Sequence, residues 1–273
     1  MSPAPFILCV APNGARRSKA DHPRLPITAW EIAREAAATR EAGASMLHLH
    51  VRDREGRHLL DADAYRETIA AIRREAGDDL LVQITTEAVG RYSPAEQMGV
   101  VDEVAPEAVS IAVRELFAEG ADNRPAAGFL ARQARRQTRV QHILYDVADI
   151  VRFEALAHSG AIPLEGASQI LVLGRYAAGQ VCDPADLIPM LAARRLPLDW
   201  MVCAFGPREA AAGLAAAALG GHARVGFENN LHLPDGALAP DNSALVAAVA
   251  AALPATGRRL ATPAEARAAQ RSG

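Results

Sequence analysis

The feature that most restricts the fold of this chain is a regular alternation between short apolar runs and longer stretches of helical periodicity. A strand followed by a helix that returns the chain is the repeating unit of parallel α/β folds. The predicted strands are Phe6–Val10, Met46–Val51, Leu80–Thr85, Ala108–Ile111, Val140–Tyr145, Gln169–Leu173, Leu198–Cys203 and Arg224–Phe227. The predicted helices are Thr28–Glu41, Ala62–Glu75, Pro94–Asp102, Arg124–Thr138, Ala148–His158, Pro184–Arg194, Arg208–Leu219 and Asn242–Ala252.

Eight such units predict a closed (β/α)8 barrel, the TIM barrel of the α/β class. Residues 1–273 are expected to form this barrel as a single domain with a C-terminal tail. Thr28 with Glu31, and Ser93 before Pro94, are typical helix starts and support the assigned boundaries. A doubly wound open sheet is the alternative, but neither GxGxxG nor GxxxxGKS follows the first strand, so the phosphate-binding turn of that fold is missing.

The composition favours chemistry on small molecules. Half of the residues are hydrophobic and the formal net charge is −3, so no excess of positive charge would attract nucleic acid or acidic membranes. Cys9, Cys182 and Cys203 show no CxxC spacing, which argues against a disulfide framework. The apolar run Phe6–Ala11 is shorter than a signal-peptide core. We therefore expect a cytoplasmic protein that binds neither membranes nor nucleic acid.

Histidines alternate with apolar residues in the second predicted strand. In Met46–Val51, the period of two along a strand sends His48 and His50 to one face and the leucines and valine to the other. The leucine face is expected to meet the helices, so both imidazoles point into the barrel. Glu228 shares the parity of Arg224 at the eighth strand, and even-numbered barrel strands share side-chain layers. The sequence therefore predicts a divalent metal ion held by His48, His50 and Glu228.

Two histidines and one carboxylate leave coordination positions open, as catalytic metal sites do. Zinc and non-haem iron(II) both use this ligand set. The remaining histidines are expected to have structural roles; they are His22, His58, His142, His158, His222 and His232.

Short segments distributed over nearly the whole chain match one known family. They are Leu25–Thr28, Gly43–Ala44, His48–Asp53, Val82–Thr86, Leu171–Gly174, Leu219–His222, Arg224–Asn229 and Ala261–Ala266. Through them the chain resembles the β-keto acid cleavage enzymes, a family typified by 3-keto-5-aminohexanoate cleavage enzyme. The resemblance implies a zinc-dependent barrel that assembles as a homotetramer. It also implies a reaction in which a small-molecule β-keto acid and the co-substrate acetyl-CoA give acetoacetate and a new acyl-CoA.

The resemblance also implies roles for single residues. Thr85 or Thr86 stands where the family holds the substrate carboxylate with a hydroxyl. The alternative for either threonine is that it is simply a β-branched residue of the strand, with no contact to substrate. Arg224 matches an arginine that supports the catalytic base, and an inward-facing arginine is costly to bury without such a partner. Asp146 matches a family aspartate that either contacts substrate or caps the next helix.

The chain departs from the family at the catalytic base. Members of the aminohexanoate type usually carry an aspartate directly after the ligand glutamate, where this chain has Asn229. They often carry an acidic residue near the fifth strand, where this chain has Ile143. Because an amide cannot accept a proton near neutral pH, either another carboxylate acts as the base, the substrate needs less help, or the chemistry differs. Glu87 and Glu115 are the candidate carboxylates.

A second departure concerns the substrate. Arg16 aligns with a glutamate that pairs with the amine of the aminohexanoate, and Arg114 enters another loop over the barrel mouth unless it pairs with Glu115. Arginines there would repel an ammonium group, so we expect a β-keto acid with an anionic or strongly polar distal end. Two other functions stay open: a metal-dependent hydrolase or lyase that uses no CoA, and a catalytically weakened binding protein.

Overall fold

The computed structural model describes residues 4–269, and their strands follow the predicted alternation. The strands are β1 (Leu8–Val10), β2 (Met46–Leu49), β3 (Val51–Arg52), β4 (His58–Leu59), β5 (Leu81–Thr85), β6 (Ala108–Ala112), β7 (Arg139–Leu144), β8 (Ala167–Leu173), β9 (Trp200–Ala204) and β10 (His222–Val225). Eight of them pair in parallel and close a barrel in the order β1-β2-β5-β6-β7-β8-β9-β10, while β3 and β4 form an antiparallel hairpin. The fold is the predicted (β/α)8 TIM barrel.

Helices cover the outside of this barrel and close its amino-terminal end. They are α1 (Ala29–Glu41), α2 (Ala62–Ala76), α3 (Pro94–Val104), α4 (Val113–Leu116), α5 (Arg124–Arg135), α6 (Val147–His158), α7 (Leu187–Ala193), α8 (Glu209–Ala218), α9 (Asn242–Ala252) and α10 (Pro263–Ala269). Thr28 and Ser93 cap α1 and α3 through reciprocal capping boxes, as predicted. The short α4 and the C-terminal α10 are additions to the predicted set. Within residues 4–269, no helix is both long and apolar enough to span a membrane.

The barrel strands differ from their predicted bounds by one or two residues, and two of these differences concern the site. The second barrel strand ends at Leu49, because the chain from Val51 leaves the barrel and pairs with β4 across a turn. The last strand spans His222–Val225 instead of Arg224–Phe227, because Gly226 has a φ of +133° and an added Cβ would lie 2.5 Å from the Ala11 carbonyl oxygen. The backbone therefore turns at this glycine, just before Glu228.

The alternation of side chains along the strands produces two apolar layers. Outward-facing residues such as Leu47 and Val82 pack against the helices. Inward-facing residues fill the barrel, and they include Cys9, Met46, Leu81, Ile170, Met201 and Cys203. Ala261 and Ala266 from the C-terminal segment join this inner layer and close its amino-terminal end. At the opposite, carboxyl ends of the strands, polar residues line a cavity.

Candidate active site and metal centre

The three predicted metal ligands converge at the carboxyl end of the barrel. His48 lies on β2, His50 directly follows it, and Glu228 follows β10, with β1 between the two strands. His48 Nε2 and His50 Nε2 are 3.1 Å apart. Glu228 Oε2 lies 3.5 Å from the first of these nitrogens and 3.3 Å from the second. Strand parity in β2 and the turn at Gly226 after β10 therefore bring the three ligand atoms to one point.

Hydrogen bonding orients the His48 ring. The register of β2 and β5 places His48 opposite Gln83, and His48 Nδ1 lies 2.8 Å from Gln83 Oε1. This oxygen can only accept, so Nδ1 carries the hydrogen and Nε2 presents a lone pair. The Gln83 amide is itself oriented, since its Nε2 donates to Gln141 Oε1 at 3.3 Å.

A second histidine orients the His50 ring. His58, on the β3–β4 hairpin, donates from Nε2 to the Glu87 carbonyl oxygen at 3.0 Å, so its Nδ1 is the acceptor. His50 Nδ1 lies 3.4 Å from that atom and donates to it. His50 Nε2 is therefore also a bare lone pair, and a chain of contacts connects the ligand to the backbone of Glu87. The structural role expected of His58 thus includes orienting a predicted ligand.

The arrangement fits a divalent metal ion. Glu228 Oε2 is buried and has no hydrogen-bond partner among the described residues, and it faces two imidazole lone pairs. Without a cation, these three electron-rich atoms would repel one another. Tetrahedral zinc, with bonds of about 2.0–2.1 Å, needs ligand atoms about 3.3–3.4 Å apart. The three separations of 3.1, 3.3 and 3.5 Å lie close to that distance.

Electrostatics keep the ligands in the states that bind metal. Burial disfavours ionisation of Glu228, but the Arg224 guanidinium outweighs it and holds the pKa of this carboxyl well below its usual range. Burial, assisted by Arg224, lowers the pKa of His48 well below its ordinary value, so the imidazole stays neutral. Burial raises the pKa of Cys203 to about 12, so this nearby thiol is a poor metal ligand.

Arg224 is a buried cation next to this centre. Its Nη2 donates to Glu228 Oε1 at 3.0 Å and to Cys203 Sγ at 3.1 Å, and the residue is only 4% exposed. One carboxylate oxygen of Glu228 is thereby occupied by the guanidinium, and the other would remain for a metal ion.

The loop between β1 and α1 forms one wall of the site. Gly14 has a φ of +59°, and an added Cβ would lie 2.5 Å from Glu228 Cγ, so only glycine allows the loop to approach the ligand this closely. Asn13 fixes the loop to the metal strand through a 3.2 Å hydrogen bond from Nδ2 to the His50 carbonyl oxygen. Arg52 adds hydrogen bonds to the carbonyl oxygens of Gly14 and Asn13.

A cavity opens above the metal centre. Its lining includes four of the other predicted site residues, which are Arg16, Thr85, Glu87 and Arg224. The Thr85 hydroxyl oxygen accepts a hydrogen bond from the Glu87 amide at 3.2 Å. Glu87 Oε1 lies 3.6 Å from Arg16 Nη2, so this arginine faces a carboxylate instead of being unpaired.

Five other predicted site residues are not part of this lining, and four of them form contacts elsewhere. Thr86 donates to the Ser110 carbonyl oxygen, and Asp146 caps α6 by accepting from the Asp149 amide. Arg114 pairs with Asp146 at 3.0 Å and Asp149 at 2.5 Å, not with Glu115. Glu115 accepts hydrogen bonds from Gln97 and the Ala88 amide, and burial raises its pKa. The geometry thus favours Thr85 over Thr86 and the capping role for Asp146.

Asn229 occupies an unusual position. Its side chain is fully buried, and neither Oδ1 nor Nδ2 has a hydrogen-bond partner within the part of the chain that the structure describes. Its carbonyl oxygen accepts from the Gly206 amide and from Arg17 Nη2. The residue is therefore fixed by its backbone beside Glu228, outside the lining of the cavity.

The sequence-based prediction lacks several residues of the site, and Arg17, Arg175 and His58 are three of them. Arg175, just after β8, lines the cavity, and its position after a barrel strand is the one signal that marks it. His58 orients His50, but the sequence signal for this role is weaker. A turn-forming segment predicts where the hairpin bends, but it does not predict which side chain the following strand will contact.

Comparison with known proteins agrees with this geometry. The family model for beta-keto acid cleavage enzymes matches residues 5–270. The chain belongs to this family. The 3-oxoadipate:acetyl-CoA acetyltransferase of Cupriavidus necator is 32% identical to it over 271 residues, which cover 97% of this chain and 94% of that protein. The 3-keto-5-aminohexanoate cleavage enzyme of Fusobacterium nucleatum is 30% identical over 267 residues, 96% of either chain.

Solved structures share the barrel. The apo structure of ObcA aligns with a TM-score of 0.70 at 20% identity, covering 90% of this chain and 65% of that one. The chain thus spans just under two thirds of the length of ObcA. At this identity the likeness concerns the fold alone.

Proposed function

We propose that this member of the family catalyses a metal-dependent exchange in which a β-keto acid and acetyl-CoA give acetoacetate and a new acyl-CoA. The observation that carries the proposal is a two-histidine, one-carboxylate centre beneath an arginine-rich cavity. The exchange is balanced without water or an oxidant. The C2–C3 bond of the keto acid breaks, C2 forms a bond to the acetyl carbon, and the released acyl group takes the CoA sulfur.

The residues of the cavity suit this chemistry. A divalent ion held by His48, His50 and Glu228 would supply a Lewis acid that polarises the keto oxygen and stabilises enolate charge. Arg224 contributes a fixed positive charge close to the same point. Because Thr85 Oγ1 already accepts from the Glu87 amide, its hydroxyl hydrogen remains available to donate to the carboxylate at C1.

The proton acceptor in this proposal is Glu87. Removal of the C2 proton needs a base, and the amide of Asn229 cannot act as one. Among the residues that line the cavity, Glu87 and Glu228 are the carboxylates, and Glu228 serves as a metal ligand. Glu87 is thus the lining carboxylate that remains to accept the proton.

The proposed substrate is a β-keto dicarboxylate. Four arginines and two glutamates line the cavity, and the metal ion would add further positive charge. A distal carboxylate gains charge-assisted hydrogen bonds in such a site, whereas an ammonium group is repelled. The name of the Cupriavidus necator relative, which specifies 3-oxoadipate, supports the same substrate class. Zinc as the resident ion, a homotetramer and a cytoplasmic location complete the proposal, supported by the family resemblance.

A substrate panel tests the proposal. The purified protein is incubated with acetyl-CoA and, separately, 3-oxoadipate, 3-oxohexanoate and 3-keto-5-aminohexanoate, and products are followed by mass spectrometry. We expect acetoacetate and the matching acyl-CoA, formed fastest from 3-oxoadipate and abolished by a chelator. Product formed without consumption of acetyl-CoA would instead support a hydrolase or lyase. Absence of turnover with metal-loaded protein would support a binding role.

A further inference from the structure

Arg175 is a cavity arginine whose hydrogen-bonding capacity is unused. It follows β8, its side chain is only 14% exposed, and its guanidinium lies 5.1 Å from the centre of the Phe205 ring. The nearest anion is Glu87 Oε1 at 3.6 Å, beyond a normal hydrogen bond. Among the described residues, none accepts a hydrogen bond from this guanidinium. A largely buried group with five N–H donors is therefore presented to the cavity without an acceptor.

The other cavity arginines differ in this respect. Arg17 donates to the carbonyl oxygens of Phe227 and Asn229, and Arg224 donates to Glu228. Arg16 resembles Arg175, since its Nη2 lies 3.6 Å from the same Glu87 oxygen, but its side chain is 60% exposed. Two guanidinium groups thus flank one carboxylate oxygen at a distance that leaves their donors free.

The backbone fixes the position of Arg175. Gly174 has a φ of +77°, and an added Cβ would lie 2.6 Å from the Cys182 amide nitrogen. Gly206 has a φ of +88°, and its added Cβ would lie 2.9 Å from the Gln180 carbonyl oxygen. The loop after β8 is therefore tightly packed, because its first residue, Gly174, lies against Cys182 and its later residue Gln180 lies against Gly206. A rigid loop of this kind favours specific recognition because little ordering is needed on binding.

We infer that Arg175, assisted by Arg16, is the receptor for the distal carboxylate of the substrate and determines specificity for β-keto dicarboxylates. The inference rests on the proposed function for the identity of the ligand. A carboxylate can accept two parallel hydrogen bonds from the planar Arg175 fork, which Glu87 does not accept. Glu87 balances the charge of both guanidinium groups from 3.6 Å and leaves their hydrogen bonds to the ligand.

Equilibrium binding without acetyl-CoA tests the receptor directly. Calorimetry compares 3-oxoadipate with 3-oxohexanoate, which has the same six-carbon chain and keto group but ends in a methyl group. The wild type should bind the dicarboxylate more tightly. Arg175→Gln should reduce this preference by about 10-fold or more, and Arg175→Lys by less, because an ammonium retains the charge without the fork. Arg16→Gln should have the smaller effect, since its charge is screened by solvent.

Arg208→Gln is the matched control. Arg208 also lies at the carboxyl end of the barrel and also faces a carboxylate, Asp183 at 3.2 Å, but it is outside the cavity lining. This variant should keep the ligand preference. An equal loss of affinity for both ligands in Arg175→Gln, or an unchanged preference for the dicarboxylate, would overturn the assignment of Arg175 as the receptor. If the preference depends on Arg175 but no acyl-CoA forms, the receptor stands and the proposed reaction fails. If acyl-CoA forms but the preference does not depend on Arg175, the proposed reaction stands and the assignment of Arg175 as the receptor fails.

Discussion

At the scale of single residues, the direction of each hydrogen bond decides which histidine nitrogen is able to bind a metal. Gln83 receives the Nδ1 hydrogen of His48, and His58 receives that of His50. Both Nε2 atoms are thereby left bare and directed at Glu228 Oε2. Such outer contacts orient metal ligands and raise their basicity. The centre therefore depends on Gln83 and His58 as well as on its three ligands.

Metal content and turnover should respond differently to two neighbouring substitutions. Glu228→Gln removes a ligand charge, so we expect loss of bound metal and of activity. Arg224→Met removes the buried cation but leaves the ligands, so it should retain about one metal ion per chain while kcat falls about 100-fold or more. Elemental analysis and steady-state kinetics on the same preparations provide both measurements. Full metal content in Glu228→Gln, or unchanged kcat in Arg224→Met, would contradict these roles.

The convergence of His48 and His50 could be predicted from the sequence, because a period of two sends both into the barrel. Glu228 reaches the same point through the turn at Gly226, which strand parity does not describe. Arg114 illustrates what could not be predicted. Its charge and loop position suggested a substrate contact, but pairing with Asp146 and Asp149 depends on the packing of α4 against α6. Arg175 was missed for the same reason. Whether a guanidinium is satisfied is a property of the folded structure, not of the sequence near it.

At the scale of elements, β7 shows how alternation separates function from packing. Gln141 faces inward and contacts Gln83, whereas His142 faces outward and lies 4.9 Å from the Phe153 ring of α6. Burial lowers the pKa of His142 from 6.5 to about 3. The residue therefore stays neutral in the folded protein but binds a proton in the unfolded chain below pH ~6.5. Its contribution to stability is present above that pH and is lost as the pH falls toward 3.

We predict that His142→Leu reduces the acid sensitivity of the fold. Between pH 7.5 and pH 5, the wild type should lose about 2 kcal/mol of unfolding free energy through this histidine alone, which the variant avoids. Urea unfolding at the two pH values measures the difference. His232→Asn is the control, because it removes a histidine that is exposed and not part of the core. A pH dependence that is identical in wild type and His142→Leu would show that His142 is not buried in its neutral form.

The alternation of elements was sufficient to predict the closed barrel, because eight strand and helix units have few other ways to bury their apolar faces. The boundaries were less predictable. The apolar run through Val51 continues past the point where the chain leaves the barrel, since the hairpin buries Val51 as well. At the last strand, the left-handed turn at Gly226 ends the pairing, and the identity of the residue alone does not reveal that conformation.

At the scale of the whole molecule, the two ends of the barrel have different tasks. The carboxyl end holds the metal ligands and the cavity, whereas α10 packs across the amino-terminal end with Ala266 in the inner layer. Arg267 anchors this helix. It donates to Glu107 through Nε and Nη2, both at 3.0 Å, and to the carbonyl oxygens of Asp78 and Asp79. In barrels of this kind the amino-terminal end contributes mainly to stability, and the carboxyl end carries the catalytic residues.

Arg267→Ala should therefore destabilise the fold without disturbing the metal centre. Loss of its hydrogen bonds to Glu107 and to the chain before β5 should lower the unfolding free energy by about 2–3 kcal/mol. Metal content and KM should stay at wild-type values, because the ligands lie at the opposite end of the strands. Arg259→Ala is the matched control, since Arg259 also pairs with a carboxylate in this segment, Glu265, but is 62% exposed and should matter little. Chemical unfolding and metal analysis of both variants decide the matter. Loss of metal at unchanged stability in Arg267→Ala would mean that the two ends of the barrel are coupled, contrary to the division proposed here.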